Sequence, residues 1–178
     1  STPLWSYDTI GYDMRSVSIS SDGEYIVAGA HDIYLFDKDD SDPIWTYDTS
    51  GDVRSVSISA DGEYIAVGGD DNNVRMFEKD SSTPLWSYNT GGYDVYSVSI
   101  SADGEYVTAG AQDQKVYLFD KDSSTPLWTY ATGDSPKSVT ISADGEYIIA
   151  GTDNNKILFF DKDSGTPFQI YSTLDDVY

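Results

Sequence analysis

In the segment Arg15-Ser16-Val17-Ser18-Ile19-Ser20, polar and apolar side chains alternate from Ser16 onward. A period of two is the signature of a half-buried β-strand. Asp22-Gly23 follows, and glycine accepts the positive φ that a tight hairpin turn needs. The apolar run Tyr25-Ile26-Val27-Ala28-Gly29 predicts a second strand, and Ile33-Tyr34-Leu35-Phe36 predicts a third after a polar loop. A fourth kind of strand, entered through a proline, reads Leu4-Trp5-Ser6-Tyr7. No long stretch carries an apolar stripe at helical spacing, and Gly, Pro, Asp and Ser interrupt too often for helices. The pattern predicts an all-β chain.

These elements recur. Ser21-Asp22-Gly23-Glu24-Tyr25 returns with alanine in first place at Ala60, Ala102 and Ala143, so that Gly23, Gly62, Gly104 and Gly145 stand 39, 42 and 41 residues apart. Pro-Leu-Trp or Pro-Ile-Trp sets Trp5, Trp45, Trp86 and Trp128 at intervals of 40, 41 and 42. The units run approximately 1–40, 41–80, 81–122 and 123–163, with a terminal strand in 164–178. A period near 40 residues suits a four-stranded propeller blade. Side-chain bulk settles the choice: serine in the first strand, Ala, Val and Gly in the second, Phe and Tyr in the third, Trp and Tyr in the fourth. Sheets set radially about an axis diverge outward, and a close-packed interior needs larger groups where the gap widens. The expected fold is a β-propeller of four-stranded antiparallel blades, four repeats per chain plus one extra outer strand.

The third strands end in Phe36-Asp37, Phe77-Glu78, Phe119-Asp120 and Phe160-Asp161, where WD-repeat proteins carry Trp-Asp. The stretch Phe119-Asp120-Lys121-Asp122-Ser123-Ser124-Thr125-Pro126-Leu127-Trp128 resembles the tryptophan-docking segment of quinoprotein-like (PQQ-type) propellers. The chain thus resembles the WD-repeat and PQQ-type propeller families, in a prokaryotic version, over essentially its whole length. It lacks the Gly-His pair that opens WD blades and the usual Gly-Lys of the docking segment. The resemblance implies the fold and not the cofactor, and WD- and PQQ-type rings imply seven or eight blades.

Counting strands raises a question of closure. The first three strand types occur four times each and the fourth five times, one more than four blades need. In the last copy, Thr166-Pro167-Phe168-Gln169-Ile170-Tyr171, glutamine replaces tryptophan. Two outer strands, 2–9 and 166–173, thereby compete for the single blade of residues 137–163. A ring of four such blades asks for a wider wedge than this bulk gradient supplies. The expectation is a ring completed either by another copy, a homo-oligomer of two chains making eight blades, or by further blades outside this sequence, with the spare strand donated to or covered by a neighbour. A contact that does not close would give a filament.

Charge narrows the partners. With 31 acidic against 10 basic side chains, the net charge is −21. Nucleic acid and anionic lipid are excluded as partners, because both need a basic face, and no apolar run reaches the ~20 residues of a membrane-spanning helix. Cysteine is absent and His31 is the single histidine, so thiol chemistry is impossible and a histidine base has no evident orienting partner. No nucleophile elbow, phosphate loop or His/Cys metal cluster occurs. The expectation is an interaction or scaffold protein that is not an enzyme, without cofactor, a degenerate quinoprotein-like enzyme domain being the alternative that the resemblance leaves; Asp37, Asp39, Asp40 and Asp42, or Asp70 and Asp71, would bind calcium only weakly, being turn carboxylates without the spacing of a dedicated loop. An extracellular or cell-surface location is expected, with the cytoplasm left open. The chain starts on Ser1, which suggests processing or truncation ahead of it.

Loops that vary between units are where recognition is expected on a rigid scaffold. Those joining fourth to first strands (10–14, 50–53, 91–95, 133–136) and second to third strands (30–32, 69–73, 111–115, 152–156) share one end of a propeller, around the central opening. Arg15, Arg54, Tyr96 and Lys137 hold one equivalent position at the start of the innermost strand. With Tyr12, His31, Asp52, Tyr93, Gln112 and Asn154 from the loops, they form the candidate face for an anionic, glycan or protein ligand. The competing reading is that the cations only neutralise nearby aspartates.

Overall fold

The computed structural model describes residues 2–9 and 11–172. Among these described residues, sixteen strands form four four-stranded antiparallel sheets, each a meander in chain order. Blade 1 comprises β1 (Ser16–Ile19), β2 (Tyr25–Gly29), β3 (Asp32–Asp37) and β4 (Trp45–Asp48). Blade 2 comprises β5 (Val53–Ile58), β6 (Tyr64–Gly69), β7 (Asn73–Glu78) and β8 (Trp86–Asn89). Blade 3 comprises β9 (Val95–Ile100), β10 (Tyr106–Ala111), β11 (Lys115–Asp120) and β12 (Trp128–Ala131). Blade 4 comprises β13 (Pro136–Ile141), β14 (Tyr147–Thr152), β15 (Lys156–Asp161) and β16 (Gln169–Ser172). The all-β propeller architecture is as the sequence predicts.

The most repeated phrase in the sequence builds the inner hairpin. Asp22 accepts hydrogen bonds from the Ser20 hydroxyl (2.6 Å) and the Glu24 amide (3.0 Å), and Ser20 Oγ accepts from the Tyr25 amide at 3.0 Å. The same net recurs around Asp61, Asp103 and Asp144. Gly23, at φ 76°, takes the left-handed backbone that closes the turn. These bonds hold Asp22, Asp103 and Asp144 below the usual carboxylate range, the serine hydroxyl contributing most.

Consecutive blades are joined by one set of contacts used three times. On the inner strands, Ser16 and Ser18 accept hydrogen bonds from the Val56 (3.1 Å) and Ile58 (3.3 Å) amides of the next blade. Ser55 and Ser57 do the same for Val98 and Ile100, and Ser97 and Ser99 for Val139 and Ile141. At the hairpin, Tyr25 packs over Gly62 and under Lys79, whose ammonium lies 4.9 Å from the ring centre. Tyr64 with Gly104 and Lys121, and Tyr106 with Gly145 and Lys162, repeat this arrangement. At the rim, the Trp45 indole stacks on Phe77 (5.5 Å) and donates to the Lys79 carbonyl at 2.7 Å. Trp86 and Trp128 dock likewise on blades 3 and 4. The widening aromatic layer of each blade is therefore filled from its neighbour's outer strand.

Among the described residues the arc does not close on itself. β1 packs on β5, β5 on β9 and β9 on β13, but among the described residues β13 does not return onto β1 in this way. Val17 and Ile19 of β1 are 66% and 59% exposed, whereas Val56 and Ile58, their equivalents in blade 2, are 6% and 7% exposed. The competition between the two spare outer strands resolves by position. β16 completes blade 4, pairing with β15. Segment 2–9 lies instead against blade 1, with Trp5 on Phe36 (5.4 Å) and its indole donating to the Lys38 carbonyl at 2.7 Å. It sits where the outer strand of a preceding blade would be, and it belongs to no strand ladder.

Candidate functional site

The innermost strands of blades 2, 3 and 4 each begin with a bulge. Val53 pairs with Gly69 and Ser55 with Gly68, leaving Arg54 as the extra residue; Tyr96 and Lys137 are the extra residues in β9 and β13. A bulge turns its extra side chain out of the alternation. Together with Arg15, these three line a cavity of about 480 Å³. The four positions singled out by their equivalence in the repeats converge on one mouth.

Each cation there meets a carboxylate from a neighbouring loop. Arg15 bonds Asp52 at 2.5 Å. Arg54 bonds Asp70 of its own blade and reaches Asp94, at 3.3 Å, on the loop entering blade 3. Lys137 lies 3.4 Å from Asp153 and 3.6 Å from the centre of the Tyr96 ring, and the Arg54 guanidinium lies 5.3 Å from that centre. The run Arg15–Asp52, Arg54–Asp94, Tyr96–Lys137 crosses all three blade joints. The Arg15 hydrogen bond holds the Asp52 carboxyl below its usual range, against the opposing effect of burial. Burial acts to lower the Arg54 pKa, but its bond to Asp70 and the charges of Asp70 and Asp94 prevail and raise it.

The loop candidates gather around this mouth unevenly. His31 stacks on Tyr12 with ring centres 4.7 Å apart, and its Nδ1 lies 3.5 Å from Asp52. Tyr93 is exposed, and its carbonyl accepts from the Thr90 hydroxyl. The Gln112 amide donates to the Asp94 carbonyl at 2.8 Å, which ties two loops together. Asn154 accepts from the Thr152 hydroxyl at 2.6 Å. None of these six lines the cavity itself. His31, Asp32 and Asp48 bring ligand atoms within 4.8 Å of one another, a grouping able to hold a metal ion. Only His31 of the three was legible as a candidate, because Asp32 and Asp48 meet through β3–β4 pairing. The aspartates considered for calcium have other work: Asp37 and Asp40 accept from the Asp39 (2.9 Å) and Asp42 (3.0 Å) amides, and Asp70 and Asp71 pair with Arg54 and Arg75.

The buried ion pair of Asp71 and Arg75 was missed in the sequence. Arg75 stands where β3 and β11 carry Tyr34 and Tyr117. Its guanidinium lies 5.4 Å from the centre of the Tyr47 ring. In blade 3 the Tyr117 hydroxyl donates to Asp113 instead. Burial, and then that aspartate, push the Tyr117 hydroxyl far above its ordinary value; burial and Asp32 push Tyr34 up to about 12. Glutamate partners raise Lys79, Lys121 and Lys162 above theirs. Groups whose folded pKa is raised contribute stability that is complete below the unfolded value and is lost as pH climbs through the folded one. Melting temperature should therefore hold up to about pH 10, the ordinary range of Tyr and Lys, and fall steeply above it. Circular dichroism melts between pH 7 and 12 would check this, and Tyr117→Phe should flatten the fall.

What this mouth offers chemically is a charge-matched hydrogen-bonding surface with aromatic faces. Residues 2–151 match the family described as outer membrane protein assembly factor BamB, a PQQ-type β-propeller repeat. The chain belongs to that family. No curated protein matches the chain. The BamB-type match covers blades 1 to 3 and ends within β14, so the open arc and its rim tryptophans lie largely inside it. Among the described residues, no helix is long and apolar enough to cross a membrane.

Proposed function

We propose that this BamB-type chain is a non-enzymatic interaction scaffold that completes its ring with a second copy, two chains making eight blades. The observation that carries this reading is that the two ends of the arc expose opposite halves of the joint used three times inside it. Blade 4 presents Ser138 and Thr140, both exposed, where the other blades offer serines to the next inner strand. It also presents Tyr147, 53% exposed, where Tyr25, Tyr64 and Tyr106 are covered by the next blade. Blade 1 presents Val17 and Ile19, and Gly23 with open space above it, where Gly62, Gly104 and Gly145 each carry a tyrosine. An apolar groove of about 400 Å³ runs there between Leu4, Trp5, Ile19, Gly23, Ile26 and Lys38. Tyr147 of another copy fits over Gly23 and beneath Lys38 as Tyr106 fits over Gly145 and beneath Lys162.

The charge-matched mouth, doubled in such a ring, is the recognition face in this reading, and its ligand is a protein, with an anionic or glycan group as the other class considered. The reading uses no cofactor and leaves calcium at most a weak binder. A place at the cell surface or outside the cell accords with the outer-membrane wording of the family description. Because the contact joins two different faces, a joint that fails to close would instead give filaments. Light scattering across a concentration series tests this. Twice the chain mass of 19.6 kDa is expected, and Ile19→Asp, on an exposed site, should leave the fold intact by circular dichroism yet return the mass to one chain. A single-chain mass for the unaltered protein at every concentration would sink the reading, and a mass growing without limit would select the filament.

A further inference from the structure

An outer strand has two tasks in this fold. It pairs with the third strand of its own blade, and it docks Trp and Tyr on the next blade. At the ring-closing joint these tasks are split between two segments. Segment 2–9 performs the docking: Trp5 and Tyr7 lie 5.4 and 5.2 Å from Phe36, as Trp86 and Tyr88 each lie 5.2 Å from Phe119. It has no ladder. β16 has the ladder, pairing Phe159 with Gln169 and Lys156 with Ser172, but it cannot dock in the same way. Gln169 stands in the tryptophan position with no indole to place on Phe36, and all four residues of β16 are exposed.

In a ring of two copies both segments would claim one rim slot, between β15 of one chain and Phe36 of the other. We infer that residues 2–9 take it, pairing with the partner copy's β15 and releasing the partner copy's β16, so that each chain supplies the outer strand of the other's last blade. This rests on the eight-blade reading above. The register follows from the intact blades. Met76 pairs with Trp86, Val74 with Tyr88 and Asn73 with Asn89, which sets Trp5 opposite Phe159, Tyr7 opposite Ile157 and Asp8 opposite Lys156. The last pair brings opposite charges face to face across the strands, a favourable cross-strand match, where β16 offers Lys156 only the Ser172 hydroxyl. A strand that meets both tasks keeps its indole docked while forming its ladder; β16 would have to displace Trp5 to remain.

The chain contains no cysteine, so introduced pairs report without background. Asp8→Cys with Lys156→Cys should form a disulfide between chains, giving a covalent dimer on non-reducing electrophoresis that reverts to single chains on reduction. Lys156→Cys with Ser172→Cys should close little within the chain once assembled. If light scattering finds the dimer while the 8/156 pair stays reduced and the 156/172 pair closes, the exchange is overturned and the eight-blade reading survives. If the mass is that of one chain, both fail together.

Discussion

Truncating Phe119 to alanine is expected to lower stability by about 3–5 kcal/mol, the range for a fully buried aromatic ring. Phe119 is completely buried and is met by Trp86 and Tyr88 from the neighbouring blade's outer strand and by Tyr117 from its own. The loss has two sources: apolar surface leaves its dry site, and the void refills poorly, because two of the rings around it are hydrogen-bonded in place, Tyr117 to Asp113 among them. Trp86, the other, is tied to the Lys121 carbonyl at 2.7 Å. For a chain of this size each kcal/mol moves the melting temperature by about 2–4 °C, so a fall of roughly 6–20 °C follows. Urea denaturation would give the free energy directly. The Trp86→Ala and Phe119→Ala losses should not add, since aromatic partners couple by about 0.5–1.5 kcal/mol. Strict additivity, or a loss under about 1 kcal/mol, would show that the rim stack does not hold the blades together.

A single methyl group at Gly68 should have an effect of similar weight by the opposite route. A Cβ built there falls within the Val95 side chain and 2.9 Å from Val98 Cγ1. Both valines belong to the inner strand of the next blade and are almost wholly buried, so neither can turn aside. Overpacking of a dense core costs about 1–3 kcal/mol, sometimes more. Gly68→Ala should cost about that much and Gly68→Val should exceed it. Trimming the neighbour provides the control: Val95→Ala in the Gly68→Ala background should recover part of the loss, although Val95→Ala alone destabilises. Failure of that rescue in denaturant titrations would rule out a steric cause.

Much of the candidate site was legible because the repeats act as an internal comparison. Arg15, Arg54, Tyr96 and Lys137 differ from one another at a position surrounded by sameness, and the structure places them on one cavity. Their pairing was not legible. Asp52 was a candidate by its place in a variable loop, but nothing local assigned it to Arg15, and Asp94 and Asp153 resemble every other turn aspartate in the chain until the fold brings them to Arg54 and Lys137. The aspartate-rich stretches form turns, and their carboxylate oxygens accept local amides. Arg75 escaped notice because a charged residue inside a strand reads as a solvent-facing position, whereas folding buries it against Asp71 and Tyr47.

From the sequence alone came the strand order, the blade period, the outward growth of side-chain bulk and the surplus of one outer strand. All of these are local or periodic properties, set by backbone alternation, turn chemistry and volume. The tertiary structure decided that serines on the inner strands of blades 1 to 3 cap the next blade's amides, that each tryptophan docks on the blade that follows it along the chain, and that the two ends of the arc leave exposed the faces that the inner blades bury against one another. Those facts depend on which faces meet after the sheets twist and stack, and residues 40 apart in the chain carry no local mark of that meeting.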